Sequence, residues 1–119
     1  MWVKFASGET LRGYGWENYP KNSTDADSTG VTILVDTSNA QFARIPRYFT
    51  SIGGKTHHWA LTGATSIYEP TATSFRIYVR YSNGRNLNAR MAEEMEWYIN
   101  WYAIEESTCN GGNPINPVL

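Results

Sequence analysis

Both histidines of the 119-residue chain stand side by side in Thr56-His57-His58-Trp59-Ala60-Leu61-Thr62-Gly63, followed directly by a tryptophan. Imidazoles act as general bases and metal ligands, so this pair is the first place to look for chemistry. In an extended segment neighbouring side chains point to opposite sides, which prevents His57 and His58 from chelating one ion within a single chain. A metal role survives only if three subunits bring one histidine each to a common axis; the expectation is no metal and no cofactor. Nucleophilic catalysis has little to build on, because neither Ser51 nor Ser66 sits in a Gly-x-Ser-x-Gly elbow. The paired carboxylates of a glycosidase would have to come from Asp25, Asp27, Asp36, Glu69 or Glu93-Glu94-Glu96, and the last cluster reads as the solvated face of a helix. The alternation Asp25, Asp27 faintly resembles the start of a calcium loop but lacks the later glycine and glutamate. The chain is expected not to be an enzyme.

Binding residues are better represented. Five Trp, eight Tyr and four Phe exceed what a core of this size requires, so some rings should sit on a surface that binds something. Trp59 is one candidate, as a stacking ring or as a plug that anchors its loop, the plug being favoured by Leu61 on the same side of an extended segment. Asp25 and Asp27 lie in a polar loop of turn formers, Asn22 to Gly30, and read as binding carboxylates or as solvated turn acids. Tyr81, Asn83 and Arg85 lie where the chain leaves its best strand, a position from which a rigid scaffold presents side chains to a ligand.

Charge and composition exclude several other partners. Ten basic residues face eleven acidic ones, for a formal charge of −1, without a run of either sign longer than two. That is neither a nucleic-acid footprint nor a polybasic membrane patch. No apolar run approaches the roughly 20 residues of a membrane helix, so the chain reads as soluble. Cys109 is the single cysteine, which rules out an internal disulfide and a cysteine-based zinc site.

The positioning elements are short and mostly β. Val31 to Val35 is a β-branched run expected to be buried on both sides, and Arg47 to Ile52 runs from Pro46 to Gly53-Gly54. Ser66-Ile67-Tyr68 is expected as a short strand. Ser74 to Tyr81 alternates most clearly, with Phe75, Ile77, Val79 and Tyr81 facing inward and Arg76, Tyr78 and Arg80 outward. Asn88 to Met95 is the one helical segment, with Asn86 or Asn88 as its cap. Glu96 to Glu105 is a strand with two apolar faces, hence central or covered on its second side. Gly8, Gly13 and Gly15 break the N-terminal region into short pieces around Val3 to Phe5 and Leu11 to Gly15, and Trp16 is expected to plug one end of the core. The sum is a small antiparallel β-sandwich of about six strands with one helical turn, a single domain over residues 1–105 followed by an irregular tail over 106–119.

The order of landmarks is similar to that of a known family. Trp16 follows a glycine-rich strand, a polar loop leads to Val31-Thr32-Ile33, and Phe42 and Pro46 precede Tyr48-Phe49-Thr50-Ser51-Ile52. The second half adds Ser66-Ile67-Tyr68, Thr73-Ser74-Phe75-Arg76-Ile77-Tyr78-Val79 and Ile99-Asn100-Trp101-Tyr102-Ala103-Ile104-Glu105. From Leu11 to Glu105 the chain resembles the H-type lectin domain, as a divergent member without the family's two cysteines and with a longer connection from Gly84 to Met95. The resemblance implies a six-stranded antiparallel sandwich that binds galactose- or N-acetylgalactosamine-type glycans and assembles as a homotrimer or a multiple of it. It further implies a sugar-holding aromatic-polar pair at Tyr81-Ser82-Asn83 and a contributing carboxylate at Asp25 or Asp27, while the family's basic residue ahead of the Ser-Ile-Tyr strand has no match here, its position falling near Thr62.

Such sugars present a fan of hydroxyls and one apolar face, so a site needs carboxylate or amide groups and a ring. The candidate set is Asp25, Asp27, His58, Trp59, Thr62, Tyr81, Asn83 and Arg85. The function expected is that of a non-catalytic lectin acting through the avidity of a homo-oligomer, extracellular or secreted if that holds. The runner-up is a protein-interaction or assembly module of the same fold, its surplus aromatics forming subunit contacts.

Overall fold

In a computed structural model, residues 2–107 are described. The expected tail, with Cys109, lies outside them apart from Glu106 and Ser107. Among the described residues, seven strands form two antiparallel sheets. They are β1 (Val3–Glu9), β2 (Glu17–Tyr19), β3 (Gly30–Asp36), β4 (Arg47–Gly53), β5 (Leu61–Thr62), β6 (Ser74–Tyr81) and β7 (Tyr98–Glu106), with the α-helix α1 (Ala89–Glu94) between the last two. One sheet has the order β1-β7-β4 and the other β2-β3-β6-β5. The all-β sandwich-like class read from the sequence is the class found.

Two apolar faces meet in the core. From the larger sheet come Val31, Ile33, Val35, Phe75, Ile77 and Val79; from the smaller come Tyr48, Ile99, Trp101 and Ala103. Alternation in β6 and β7 holds residue by residue: the odd-numbered positions of both are buried, apart from the half-buried Tyr81 at the end of β6. Trp97, fully buried, closes one end with Trp16 edge-on to it, the centroids 6.4 Å apart. Trp16 Nε1 donates to Trp97 O at 3.0 Å and Trp97 Nε1 to Thr56 O at 2.8 Å, so both indoles are buried with their N–H groups satisfied. Sinking an indole of about 150–250 Å² contributes roughly 4–6 kcal/mol, which makes this pair the anchor of that end. At the other end Tyr48 packs against Phe75, Trp101 and Phe42, donating its hydroxyl to Thr71 O at 2.7 Å and accepting from Thr37 Oγ1 at 2.8 Å. Burial pushes the Tyr48 phenol up from its ordinary value, against the smaller opposing effect of the Thr37 hydroxyl.

Buried Glu105 ties the smaller sheet to the loop before β4, its Oε2 accepting from the amides of Ala43 at 2.7 Å and Arg44 at 2.8 Å. Helix α1 starts at the cap Asn88, whose Oδ1 accepts from Met91 N at 3.0 Å.

Four expectations need correction. Ser66 to Tyr68 is not a strand; the only ladder contact there is a single bridge from Tyr68 to Arg76, and the edge of the larger sheet is β5 instead. With Glu69 at φ 51° and Pro70 next, the backbone turns away before a second pair can form. Leu34 is exposed rather than buried, because the outer face of the larger sheet is open there and only Gly30 and Thr32, earlier on that face of β3, are covered. The N-terminal region is one seven-residue strand rather than short pieces. Gly8 does not break it but fits beneath Trp101: a Cβ at Gly8 would lie 2.9 Å from the indole Nε1. Trp59 is no plug: its segment is a 3₁₀ turn entered through His57 at φ 67°, not an extended strand, and its side chain projects outward at 87% exposure.

Candidate functional site

Strand registers place all the candidate residues at one end of the larger sheet. β2 ends at Tyr19 opposite Gly30, where β3 begins; Val31 pairs with Val79 near the end of β6, and Leu61 at the start of β5 pairs with Tyr81. The loop before β3, the turn after β6 and the turn before β5 therefore emerge together. Ser82 N donates to Ala60 O at 2.9 Å, joining the histidine turn to the exit of β6, and Asn88 Nδ2 reaches Asp25 O at 3.4 Å, joining the acidic loop to the approach to α1.

Within this end the candidates have different occupations. Tyr81 faces inward, edge-on to Trp97 at 6.3 Å and with its hydroxyl 3.9 Å from Met95 Sδ. Asn83 Oδ1 accepts from Arg85 N at 3.0 Å, forming a turn, and both side chains are exposed. Asp27 closes its own turn with Thr24. His58 is half-buried, its Nδ1 buried without a hydrogen-bond partner among the described residues. Asp25 and Thr62 are the two candidates that line grooves, and they line different ones. No three His, Cys, Asp or Glu side chains gather as a metal site would need among the described residues, and no helix there is long and apolar enough to cross a membrane.

The grooves lie on the outer face of the larger sheet. The first, of about 540 Å³, has Tyr78 at its centre, with Tyr19 edge-on to it at 5.4 Å and Tyr68 edge-on at 5.0 Å. Tyr19 and Tyr68 are each 49% exposed, so these rings offer apolar surface to solvent instead of filling a core. Thr29 and Thr62 add hydroxyls and Arg80 adds a cation. Gly63 permits the narrow wall: its φ is +102°, and a Cβ there would stand 2.3 Å from Tyr78 O. A volume in the roughly 300–1,000 Å³ range, aromatic walls and a few polar groups match the usual make-up of a small-molecule site.

A second compartment of about 520 Å³ shares Tyr19 and Tyr78 with the first and continues it toward α1. Its charges are mostly paired. Arg76 Nη1 meets Glu17 Oε1 at 3.3 Å and Thr32 Oγ1 at 3.2 Å. Asp25 takes Arg90 Nη2 at 3.1 Å on one oxygen and Asn18 Nδ2 at 3.1 Å on the other. Asn18 also accepts from Ala89 N at 2.7 Å, so one amide links the acidic loop to the helix start.

Sequence reasoning missed Tyr19, Tyr68 and Tyr78 as site residues. Tyr78 had a signal, since alternation in β6 puts it on the outward face with Arg76 and Arg80. Tyr19 and Tyr68 had none, because only the sheet order brings residues 59 and 10 positions away beside it. Comparison with known proteins finds no matching family model and no curated protein that matches the chain significantly.

Proposed function

We propose that this protein is a non-catalytic carbohydrate-binding module of H-type lectin character, which takes galactose- or N-acetylgalactosamine-type rings in the tyrosine groove and gains avidity as a homo-oligomer. The observation that carries the proposal is the Tyr19–Tyr78–Tyr68 cluster on an open sheet face, with hydroxyls and an arginine at its edge. Exposed rings give the apolar face of a sugar something to stack on, and Thr29, Thr62 and Arg80 supply partners for its hydroxyls. A glycan array probed with the full chain tests this. Tyr68→Ala, which removes an exposed ring, should weaken binding by roughly tenfold, about 1–2 kcal/mol. Silence across a broad array would overturn the proposal.

A second reading is favoured by a different surface. The outer face of the β1-β7-β4 sheet carries Phe5, Phe49, Tyr102 and Ile104 in adjoining register positions, Tyr102 stacked on Phe49 at 5.3 Å. Phe5 is 66% exposed. Arg47 and Glu106 on this face already pair with each other, which leaves the patch without net charge and compatible with a second copy of itself. On this reading the protein is an assembly module. Light scattering would find an oligomer that Phe49→Glu dissociates, and the array would stay silent.

A further inference from the structure

Among the residues that line the two compartments, the charges without an ion pair have one sign. Every carboxylate lining the two compartments is engaged, Glu17 by Arg76 and Asp25 by Arg90. Arg80 in the first compartment and Lys21 in the second have no ion pair among the described residues. Between them lie Tyr19 and Tyr78, the rings common to both compartments. The chain as a whole is slightly acidic, with a formal charge of −1, so these two free cations flanking one aromatic platform run against the average surface.

A neutral sugar can accept hydrogen bonds from a cation but leaves the charge of both uncompensated, whereas a saccharide chain bearing carboxylates or sulfates places anions at its ring edges and keeps an apolar ring face for stacking. We propose that the ligand of this groove is an anionic oligosaccharide of two or more residues, held by Arg80 at one end, by Lys21 at the other, and stacked on Tyr19 and Tyr78 between them. This inference rests on the carbohydrate reading of the groove and narrows it. Arg80 suits the planar, two-oxygen geometry of a carboxylate or sulfate edge, while Lys21 acts as a point charge. Because both cations are exposed, the attraction is screened by salt.

The test is calorimetry of the full chain with three tetrasaccharides of matched linkage length: a neutral galactan, a galacturonan and a sulfated galactan. The expected result is at least about tenfold tighter binding of an anionic probe than of the neutral one, a similar loss on Arg80→Ala, a smaller one on Lys21→Ala, and weakening of the anionic binding in about 1 M salt. The two anionic arms distinguish carboxylate from sulfate. Arg80→Lys should recover only part of the affinity if the flat guanidinium edge matters. Equal binding of the neutral probe, unaffected by Arg80→Ala, overturns the anionic inference and leaves the carbohydrate reading standing. No binding of any probe overturns the anionic inference, and silence on the broad glycan array as well overturns the carbohydrate reading. Competition by an oligoglutamate or an oligonucleotide as effective as by the best saccharide overturns the inference in favour of a general anion-binding surface. Circular dichroism of each variant establishes that a loss is not unfolding.

Discussion

Substituting Gly63 by alanine, with Gly84→Ala as its control, isolates the close approach that shapes the groove. Both glycines have positive φ, +102° and +79°, but a Cβ at Gly63 would stand 2.3 Å from the carbonyl oxygen of Tyr78, whereas at Gly84 nothing lies within 4 Å. The alanine also stiffens the unfolded chain by about 0.4–1 kcal/mol, and this effect is the same at both sites. Left-handed backbone costs a residue with a Cβ about 1–2 kcal/mol, so Gly84→Ala should destabilise by roughly that amount or less. At Gly63 the conformation is less favourable still, about 1–3 kcal/mol, and a contact with backbone that no rotamer relieves adds about 1–3 kcal/mol. Gly63→Ala should therefore destabilise by about 1–5.5 kcal/mol, centred on about 3, which for a domain of this size is a fall in Tm of roughly 4–22 °C, centred on about 12 °C, against less than about 8 °C for Gly84→Ala. Differential scanning calorimetry measures both. Because relief of the clash moves Gly63 off Tyr78, oligosaccharide affinity should fall in Gly63→Ala even at temperatures where it is folded, and should not fall in Gly84→Ala. Equal losses of stability in the two variants would refute the close approach.

Glu105→Ala leaves the amides of Ala43 and Arg44 without their acceptor and should destabilise by about 2–4 kcal/mol in denaturant titration, with Glu105→Gln, which keeps one acceptor oxygen, falling between it and the parent. Tyr48 has a folded-state pKa above its unfolded value of 10.0, so its contribution is complete below that value and is lost as pH rises through it toward the higher folded one. Melting curves between about pH 8 and 11 should show an alkaline decline in stability that Tyr48→Phe reduces, at the cost of its hydrogen bonds to Thr37 and Thr71 at neutral pH. Asn88→Ala removes the side-chain cap of a six-residue helix and should destabilise by about 1 kcal/mol, read from the same unfolding curves.

Much of this architecture is legible in local pattern. Period-two alternation locates β6 at Ser74 to Tyr81 and assigns its faces, and the doubly apolar β7 demands a central place, which the order β1-β7-β4 supplies. The short helix follows from propensity, which leaves Asn86 and Asn88 as alternative caps, and the structure selects Asn88. Where local signals misled, a tertiary contact decided. Gly8 reads as a breaker because its partner Trp101 lies 93 positions away, and Ser66 to Tyr68 reads as a strand because the turn at Glu69 has no residue-type signature. His57-His58-Trp59 reads as extended because nothing local announces a left-handed residue at His57, and that one dihedral sends Trp59 into solvent. The sequence by itself determined the class of fold and the strands β3, β4, β6 and β7, since each depends on residue type and short-range periodicity, whereas β2, β5 and the gathering of the loops at one end of the sheet followed from strand register. Only the tertiary structure decided that Tyr19, Tyr68 and Tyr78 form one surface and that Arg80 and Lys21 flank it unpaired, because sheet order and ion pairing join residues whose separation along the chain carries no local signal.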